Sequence, residues 1–318
     1  MPAGQPVTRD DVLAARERIG DRLHRTPTFS SATLSELTGA RVFLKAELFQ
    51  RTGSFKPRGI LNKIESLSAD ERNRGVVSIS AGNAAQAVAW AAREAGIDAL
   101  VVMWHGASAQ KVEATRGYGA TVDLEAEGPS EAFERLHQVA DETGRTVVHP
   151  YDDPLVIAGH GTLGLELAED VPGLDVVLVP VGGGGLVSGI ATAVDARVVA
   201  VEPERSGALH EALAAGKPVP VHPDSIADGL SGPIAGEHCL EICRARGVES
   251  VLVTEEEIAA GMRFLYERAK LACEPAGAAA VGALLAGREQ AEPGATVAAV
   301  VSGGNVTVET AVAILDTK

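Results

Sequence analysis

Lys56 stands in the run Thr52-Gly53-Ser54-Phe55-Lys56-Pro57-Arg58-Gly59, between an aromatic residue and a proline. Proline disfavours the α region for the residue before it, so this lysine is expected to project from an extended or turn backbone. In a partly dry setting a lysine binds its proton less tightly, and the neutral amine can attack a carbonyl carbon. Taken alone, the segment fits a solvated loop lysine at least as well. A second chemical signal is Val181-Gly182-Gly183-Gly184-Gly185-Leu186, which follows an apolar, β-branched run and precedes a helical pattern. Bare glycines let several backbone N–H groups converge on an anion at a helix N-terminus, which points to a phosphate or phosphorylated cofactor without saying which. Ser80-Ala81-Gly82-Asn83 offers a hydroxyl, an amide and a helix start, suited to a carboxylate and equally to a cap and turn. Ser302-Gly303-Gly304-Asn305 is by itself a strand-to-helix turn, although strand-end residues line the ligand crevice in parallel sheets.

These four segments have to be held by a scaffold. Short β-branched runs alternate with Ala-rich helical pattern along the chain, the signature of an α/β protein with a mostly parallel sheet. The pattern predicts strands over 42–48, 76–80, 99–104, 121–124, 147–149, 176–181, 198–201, 250–253 and 297–301, with helices such as 84–95 and 186–195 between them. Thr254 and Glu257 predict a capping box that opens a helix running to about residue 272. The stretch 214–224, with Pro218, Pro220 and Pro223, reads as an ordered surface loop. No polar linker separates two halves, so domains are expected to be interleaved rather than strung in series.

At 318 residues the chain is long enough for two domains, and its 46% hydrophobic and 22% charged residues are those of an ordinary globular protein. A net charge of −15 argues against a general affinity for nucleic acid or anionic membrane. A local set of backbone N–H groups can still hold an anion on an acidic protein. The apolar runs are too short to span a bilayer, and the stretch from Met1 to Asp11 has no cationic segment followed by an apolar one. The three cysteines make no disulfide framework, and a cytoplasmic protein is expected. Cys239 and Cys243, spaced by one helical turn beside His238, read as a buried helix face rather than as metal ligands.

Gly53 to Gly59, Ser80 to Asn83, Gly182 to Gly185 and Ser302 to Asn305, in that order, resemble the fold type II pyridoxal-phosphate enzymes, the tryptophan synthase β family. Within them the chain is similar to the serine/threonine dehydratase (threonine ammonia-lyase) and serine racemase branch. Lys45 to Arg51, His149 to Asp153, Ile226 to Gly229 and Glu274 to Gly277 fit the same branch, and the resemblance runs from about Val12 to Val308. It implies two interleaved α/β domains, each with a mostly parallel sheet, and a cofactor, pyridoxal 5'-phosphate, in the cleft between them. The small domain would comprise 67–146, and the large one 1–66 with 147–318. The resemblance further implies that Lys56 holds the cofactor as an imine and serves as base, with Phe55 packed beside the ring. Asn83 would meet the ring hydroxyl, Ser302 the pyridine nitrogen, and Gly182, Gly183, Gly184 and Gly185 the phosphate. Ser80, Ala81, Gly82 and Ala84 would surround the carboxylate of a small amino-acid substrate. Relatives are usually homodimers.

The function implied is that of an ammonia-lyase converting a small β-hydroxy amino acid, such as L-threonine or L-serine, to a 2-oxo acid and ammonia. A hydroxyl at the pyridine nitrogen shares a neutral hydrogen bond, which makes the ring a weaker electron sink than a carboxylate would and favours prompt loss of a β-leaving group. Racemases of this branch carry a second serine where this chain has Ala81, whose methyl cannot donate a proton. Many relatives have histidine where Ala84 stands. Relatives bind a divalent cation near Glu202, yet the second acidic position reads Ala208, so no metal site is expected and Glu202 is the lone candidate ligand. Three alternatives stay open. One is the same cofactor acting on another β-hydroxy amino acid or as a serine racemase. Another is a binding protein that has lost turnover. The third is a nicotinamide-nucleotide oxidoreductase, in which Gly183-x-Gly185 opens the helix, Glu202 meets a ribose and Ser188 replaces the third glycine. That reading leaves Lys56 and Ser302 without purpose.

Overall fold

A computed structural model describes residues 6–316, with 129 and 130 described by backbone alone. Residues 1–5 and 317–318, which the expected large domain includes, lie outside the described residues. The strands are β1 (Thr28–Ser30), β2 (Arg41–Ala46), β3 (Val76–Ile79), β4 (Ala99–Trp104), β5 (Thr121–Ala126), β6 (Thr146–Val147), β7 (Val176–Pro180), β8 (Arg197–Pro203), β9 (Glu249–Val253) and β10 (Thr296–Val301). They form a six-stranded sheet, β1-β2-β10-β7-β8-β9, and a four-stranded sheet, β5-β4-β3-β6. Every pairing is parallel except β1 on β2. The central strands β7 and β10 are buried along their whole length, which is why they read as unbroken Val, Leu and Ala runs rather than alternating patterns. The chain leaves the large sheet after β2, builds the small sheet, and returns at β7.

Several boundaries differ from those the sequence predicts. Strand β2 stops at Ala46, two residues before the expected 48, because Glu47–Phe49 turns as a 3-10 segment that buries the Glu47 carboxylate. Strand β1 has no counterpart among the predicted strands; three residues at an antiparallel edge are too few to display an alternation. The capping box at Thr254 forms, but the α-helix ends at Phe264. It continues as one π-turn, Leu265–Ala269, and stops at the left-handed Lys270.

The largest correction concerns Lys56. It opens the helix Lys56–Glu65 instead of projecting from an extended segment, and Phe55 before it is already in the right-handed helical region. Pro57 occupies the first turn, where its missing N–H would have had no intrahelical partner in any case. The helix start is fastened from outside: the Phe55 amide donates to the Ser302 carbonyl at 3.1 Å.

This helix is held at close range against the helix Pro154–Asp170 through glycines on both sides. A Cβ at Gly159 would lie 2.7 Å from the Gly59 Cα and press on the Arg58 carbonyl, and one at Gly59 would lie 2.5 Å from the Val156 carbonyl. The approach brings the buried Arg58 guanidinium onto Glu166 at 2.7 Å and Glu47 at 2.8 Å. Gly159→Ala must therefore push apart the two helices that seat Lys56. It is expected to cost about 1–3 kcal/mol, read as a lowered urea or thermal midpoint; an unchanged midpoint would contradict this contact.

Candidate active site

The Lys56 side chain retains partial exposure, but its amine is enclosed and donates to the Pro150 carbonyl at 2.8 Å. A carbonyl is neutral, so nothing offsets the loss of hydration, and burial pushes the amine down to about 8, with the nearby Cys239 opposing slightly. The Nζ lies 5.1 Å from the centre of the Phe55 ring. Phe55 in turn rests edge-on against the buried His160, with centroids 4.8 Å apart. Burial holds His160 well below the usual histidine range, and the neighbouring Lys56 adds to this. His149 is lowered by burial as well, and its Nδ1 accepts the Asp152 amide at 2.8 Å.

The Pro150 carbonyl leads directly to the glycine loop, because the next residue packs on it. A Cβ at Gly183 would strike the Tyr151 ring, and one at Gly185 would lie 2.7 Å from the Tyr151 carbonyl. Gly184 has φ +100, a conformation that side-chain-bearing residues rarely adopt, and it caps the helix Gly185–Ala193. Among the described residues, none of the amides of Gly182, Gly183, Gly184 and Gly185 donates a turn, loop or cap hydrogen bond. Bare, unspent amides at a helix N-terminus are the donor set that a phosphate requires.

The other two segments close on the same place. Ser302 is buried beside Phe55, and its hydroxyl makes no hydrogen bond among the described residues. Ser54 and Gly303 form an isolated antiparallel bridge. Asn305 donates to the Thr52 carbonyl at 2.7 Å and to the Asn83 side-chain oxygen at 2.8 Å, so the loop after β10 joins the loop after β3. Within that second loop the Ser80 hydroxyl accepts the Gly82 amide at 3.1 Å, Ala81 is half-buried, and Ala84 is buried in the first turn of the helix Asn83–Glu94.

Two residues at the site carry roles that the sequence reading left unassigned. Pro150 supplies the neutral acceptor for Lys56. Glu274, buried at the start of the helix Pro275–Leu285, accepts the Asn83 amide at 2.7 Å. The signal for Glu274 was the Glu-Pro pair at a helix start, which by itself speaks only of capping. Glu202 stands apart from the cluster. Its carboxylate accepts the Leu209 and His210 amides, each at 2.8 Å, and the Ser250 hydroxyl at 3.0 Å, and the side chain is fully buried, which leaves a ribose no approach to it. Among the described residues, no three His, Cys, Asp or Glu side chains gather as a metal site, and Cys239 and Cys243 are buried on the helix Glu237–Ala245.

An enclosed amine of lowered proton affinity, an unspent amide cradle and a free hydroxyl fit an aldehyde-bearing phosphorylated cofactor. The family model for pyridoxal-phosphate dependent enzymes matches residues 19–303. The chain belongs to that family. This pyridoxal-phosphate-dependent enzyme is 43% identical over 308 residues to the L-threonine ammonia-lyase of Thermotoga maritima, covering 95% of this chain and 76% of that one. It superposes on maize serine racemase with a TM-score of 0.92 at 34% identity, covering 96% of each chain. The T.th. threonine deaminase gives 0.88 at 39% identity, over 94% of this chain and 99% of that one. The fold is therefore that of the type II enzymes, as the resemblance implied.

The amine at position 56 should be neutral at a lower pH than other lysines. In cofactor-free protein, borohydride trapping of a small aldehyde at Lys56 is expected to rise through a midpoint near 8, located by peptide mass mapping. Exposed lysines should rise near ~10.4. A Lys56 midpoint coinciding with theirs would contradict the enclosed setting.

Proposed function

We propose that this enzyme is a serine/threonine-type ammonia-lyase that takes L-threonine or L-serine to the 2-oxo acid and ammonia. The observation that carries the reading is the meeting of the Lys56 amine with the unspent amides of Gly182–Gly185 at opposite ends of one short path through Pro150 and Tyr151. Pyridoxal phosphate, when bound, supplies an electron-withdrawing ring that makes the Cα proton of an attached amino acid acidic. Lys56 would hold the cofactor's aldehyde carbon covalently, and the same amine, once free, would take the Cα proton. The glycine amides would hold the phosphate, Phe55 would flank the ring, Asn83 would meet its hydroxyl and Ser302 its nitrogen. Ser80, Ala81, Gly82 and Ala84 would surround the substrate carboxylate. The Cα–H electron pair would become the second Cα–Cβ bond as the Cβ–O bond breaks, and the proton taken by Lys56 would pass to the departing hydroxide, giving water and a neutral amine. The released enamine tautomerises and takes up water, giving the 2-oxo acid and ammonia.

Elimination is favoured over racemisation because inversion needs a proton donor on the face opposite Lys56, and Ala81 has only a methyl there. The unit 67–146 would act as a small domain that closes over substrate through the Ser80–Asn83 loop. A homodimer acting in the cytoplasm completes the proposal. The exposed pair Phe29 and Phe49, with rings 6.5 Å apart, supports the dimer, and three free, buried thiols support the compartment.

Purified enzyme is expected to release 2-oxo acid from L-threonine or L-serine, read by coupled reduction. Lys56→Ala should lose at least about 1000-fold in kcat while remaining folded. An unaltered enzyme that binds the cofactor yet forms no 2-oxo acid from either substrate would overturn the assignment. Ala81→Ser is expected to raise D-serine formation, measured by chiral chromatography. Substantial racemisation by the unaltered enzyme would contradict the role given to Ala81.

A further inference from the structure

The polarity of the amide chain at the site can be worked out from one end. The Thr52 carbonyl can only accept, so Asn305 must turn its Nδ2 toward it, at 2.7 Å. The same Nδ2 lies 2.8 Å from Asn83 Oδ1, and both Asn305 protons are then used. Asn83 must therefore present its own Nδ2 to the other side, where Glu274 Oε1 lies at 2.7 Å. One Asn83 proton goes to Glu274 and the second is left over. Glu274 is itself fastened: its amide donates to the Gly303 carbonyl at 3.1 Å.

We propose that Glu274 is a positioning residue for Asn83: its carboxyl oxygen takes one Asn83 N–H, aims the other at the bound cofactor, and ties the small-sheet loop to the large sheet. The inference rests on the reading of Asn83 as a cofactor ligand given above. The hydrogen bond spans the two sheets, since Asn83 follows β3 and Glu274 sits against the loop after β10. Two charged groups face it. Asp228 from the 3-10 turn Asp228–Leu230 opposes its ionisation, while Lys111 from the helix Ala109–Gly117, paired with Asp228 across the cleft, favours it. The adjoining Cys273 thiol is raised by burial and stays uncharged. Burial is the largest influence on Glu274 and, with Asp228, pushes it up to about 7, against the pull of the Asn83 hydrogen bond and Lys111.

A neutral carboxyl and a carboxylate both accept the Asn83 proton, but the carboxylate accepts it more strongly and sets a negative charge beside the cofactor. The visible absorption of the bound pyridoxal 5'-phosphate should accordingly shift with a midpoint near 7 in the unaltered enzyme. Glu274→Gln keeps an accepting oxygen and cannot ionise, so it should bind the cofactor while losing that midpoint. Glu274→Ala releases Asn83 and should weaken pyridoxal 5'-phosphate binding roughly tenfold or more. A readout free of cofactor follows from linkage. The folded-state value lies above that of an unfolded glutamate, ~4.3, so the folded protein loses stability as pH rises from there to about 7. The unfolding midpoint of cofactor-free Glu274→Gln, relative to the unaltered protein, should thus be higher at about pH 8 than at about pH 5. Wild-type affinity and spectrum in Glu274→Ala, or a persisting midpoint near 7 in Glu274→Gln, would overturn the inference. These measurements follow binding and stability rather than turnover. An enzyme that binds cofactor but spares L-threonine and L-serine would therefore sink the proposed reaction and leave Glu274 to be judged alone.

Discussion

An amine that must react near neutral pH has to be dry and yet kept from any carboxylate. Lys45, buried throughout, and Lys56, whose amine alone is enclosed, show how differently burial can be resolved. Lys45 is fully enclosed and meets Glu166 at 2.7 Å and Asp170 at 3.4 Å, so its charge is compensated and it serves as a fixed cation. Lys56 meets only a neutral carbonyl, and desolvation acts on it almost unopposed. Exchanging these environments would leave every residue type in place and abolish the reactive group. The chemistry depends on what the amine is denied.

That denial is difficult to build, because Arg58 and its carboxylate partners sit only two positions along the helix. The structure separates the two by helical geometry. Arg58 points to the far side of the helix, where Glu47 and Glu166 saturate its guanidinium. Burial disfavours the Glu47 charge, but the Arg58 pairing prevails and holds its carboxyl below the usual range, so the cluster stays ionised and self-contained. The glycine contact between the helices Lys56–Glu65 and Pro154–Asp170 brings Arg58 to Glu166 and leaves Lys56 on the cleft side. Buried ion clusters are poor sources of net stability. Here the cluster's use is orientation, since it fixes how the helix is rotated and hence where the amine points.

What could be read from the sequence follows from how each requirement is encoded. The bare glycine loop was legible because the close approach of Tyr151 leaves no room for side chains at Gly183 and Gly185, and the absence of side chains is a property of residue type. The parallel sheets were legible because buried strands must be apolar on both faces. Lys56 was singled out only jointly with the other three segments, and its local backbone was misread: the restriction before proline is a tendency, and the fastening of Phe55 to Ser302 outweighs it. The part played by Glu274 was not legible, since its partner Asn83 lies 191 positions away and no local pattern announces such a pair. Glu202 misled in the opposite way. An acidic residue at a strand end suits a nucleotide or a cation, and only the structure shows it spent on the amides that begin the next helix.

The phosphate site proposed at the glycine loop, in a protein of net charge −15, also needs a physical account. Lysine or arginine could supply the attraction, but a cation beside Lys56 would further lower its proton affinity and compete for acidic groups nearby. Backbone amides supply partial positive charge in fixed directions, with no mobile side chain to be recruited elsewhere. They also leave the ring and the Cα proton as the places where charge develops. On the proposed assignment, with a hydroxyl at Ser302 and a methyl at Ala81, proton traffic at Cα would be confined to the lysine face. Negative charge developing there would have one rapid exit, expulsion of a β-hydroxyl, so on the proposed reading the same economy of charged groups that lowers the proton affinity of Lys56 would also favour elimination.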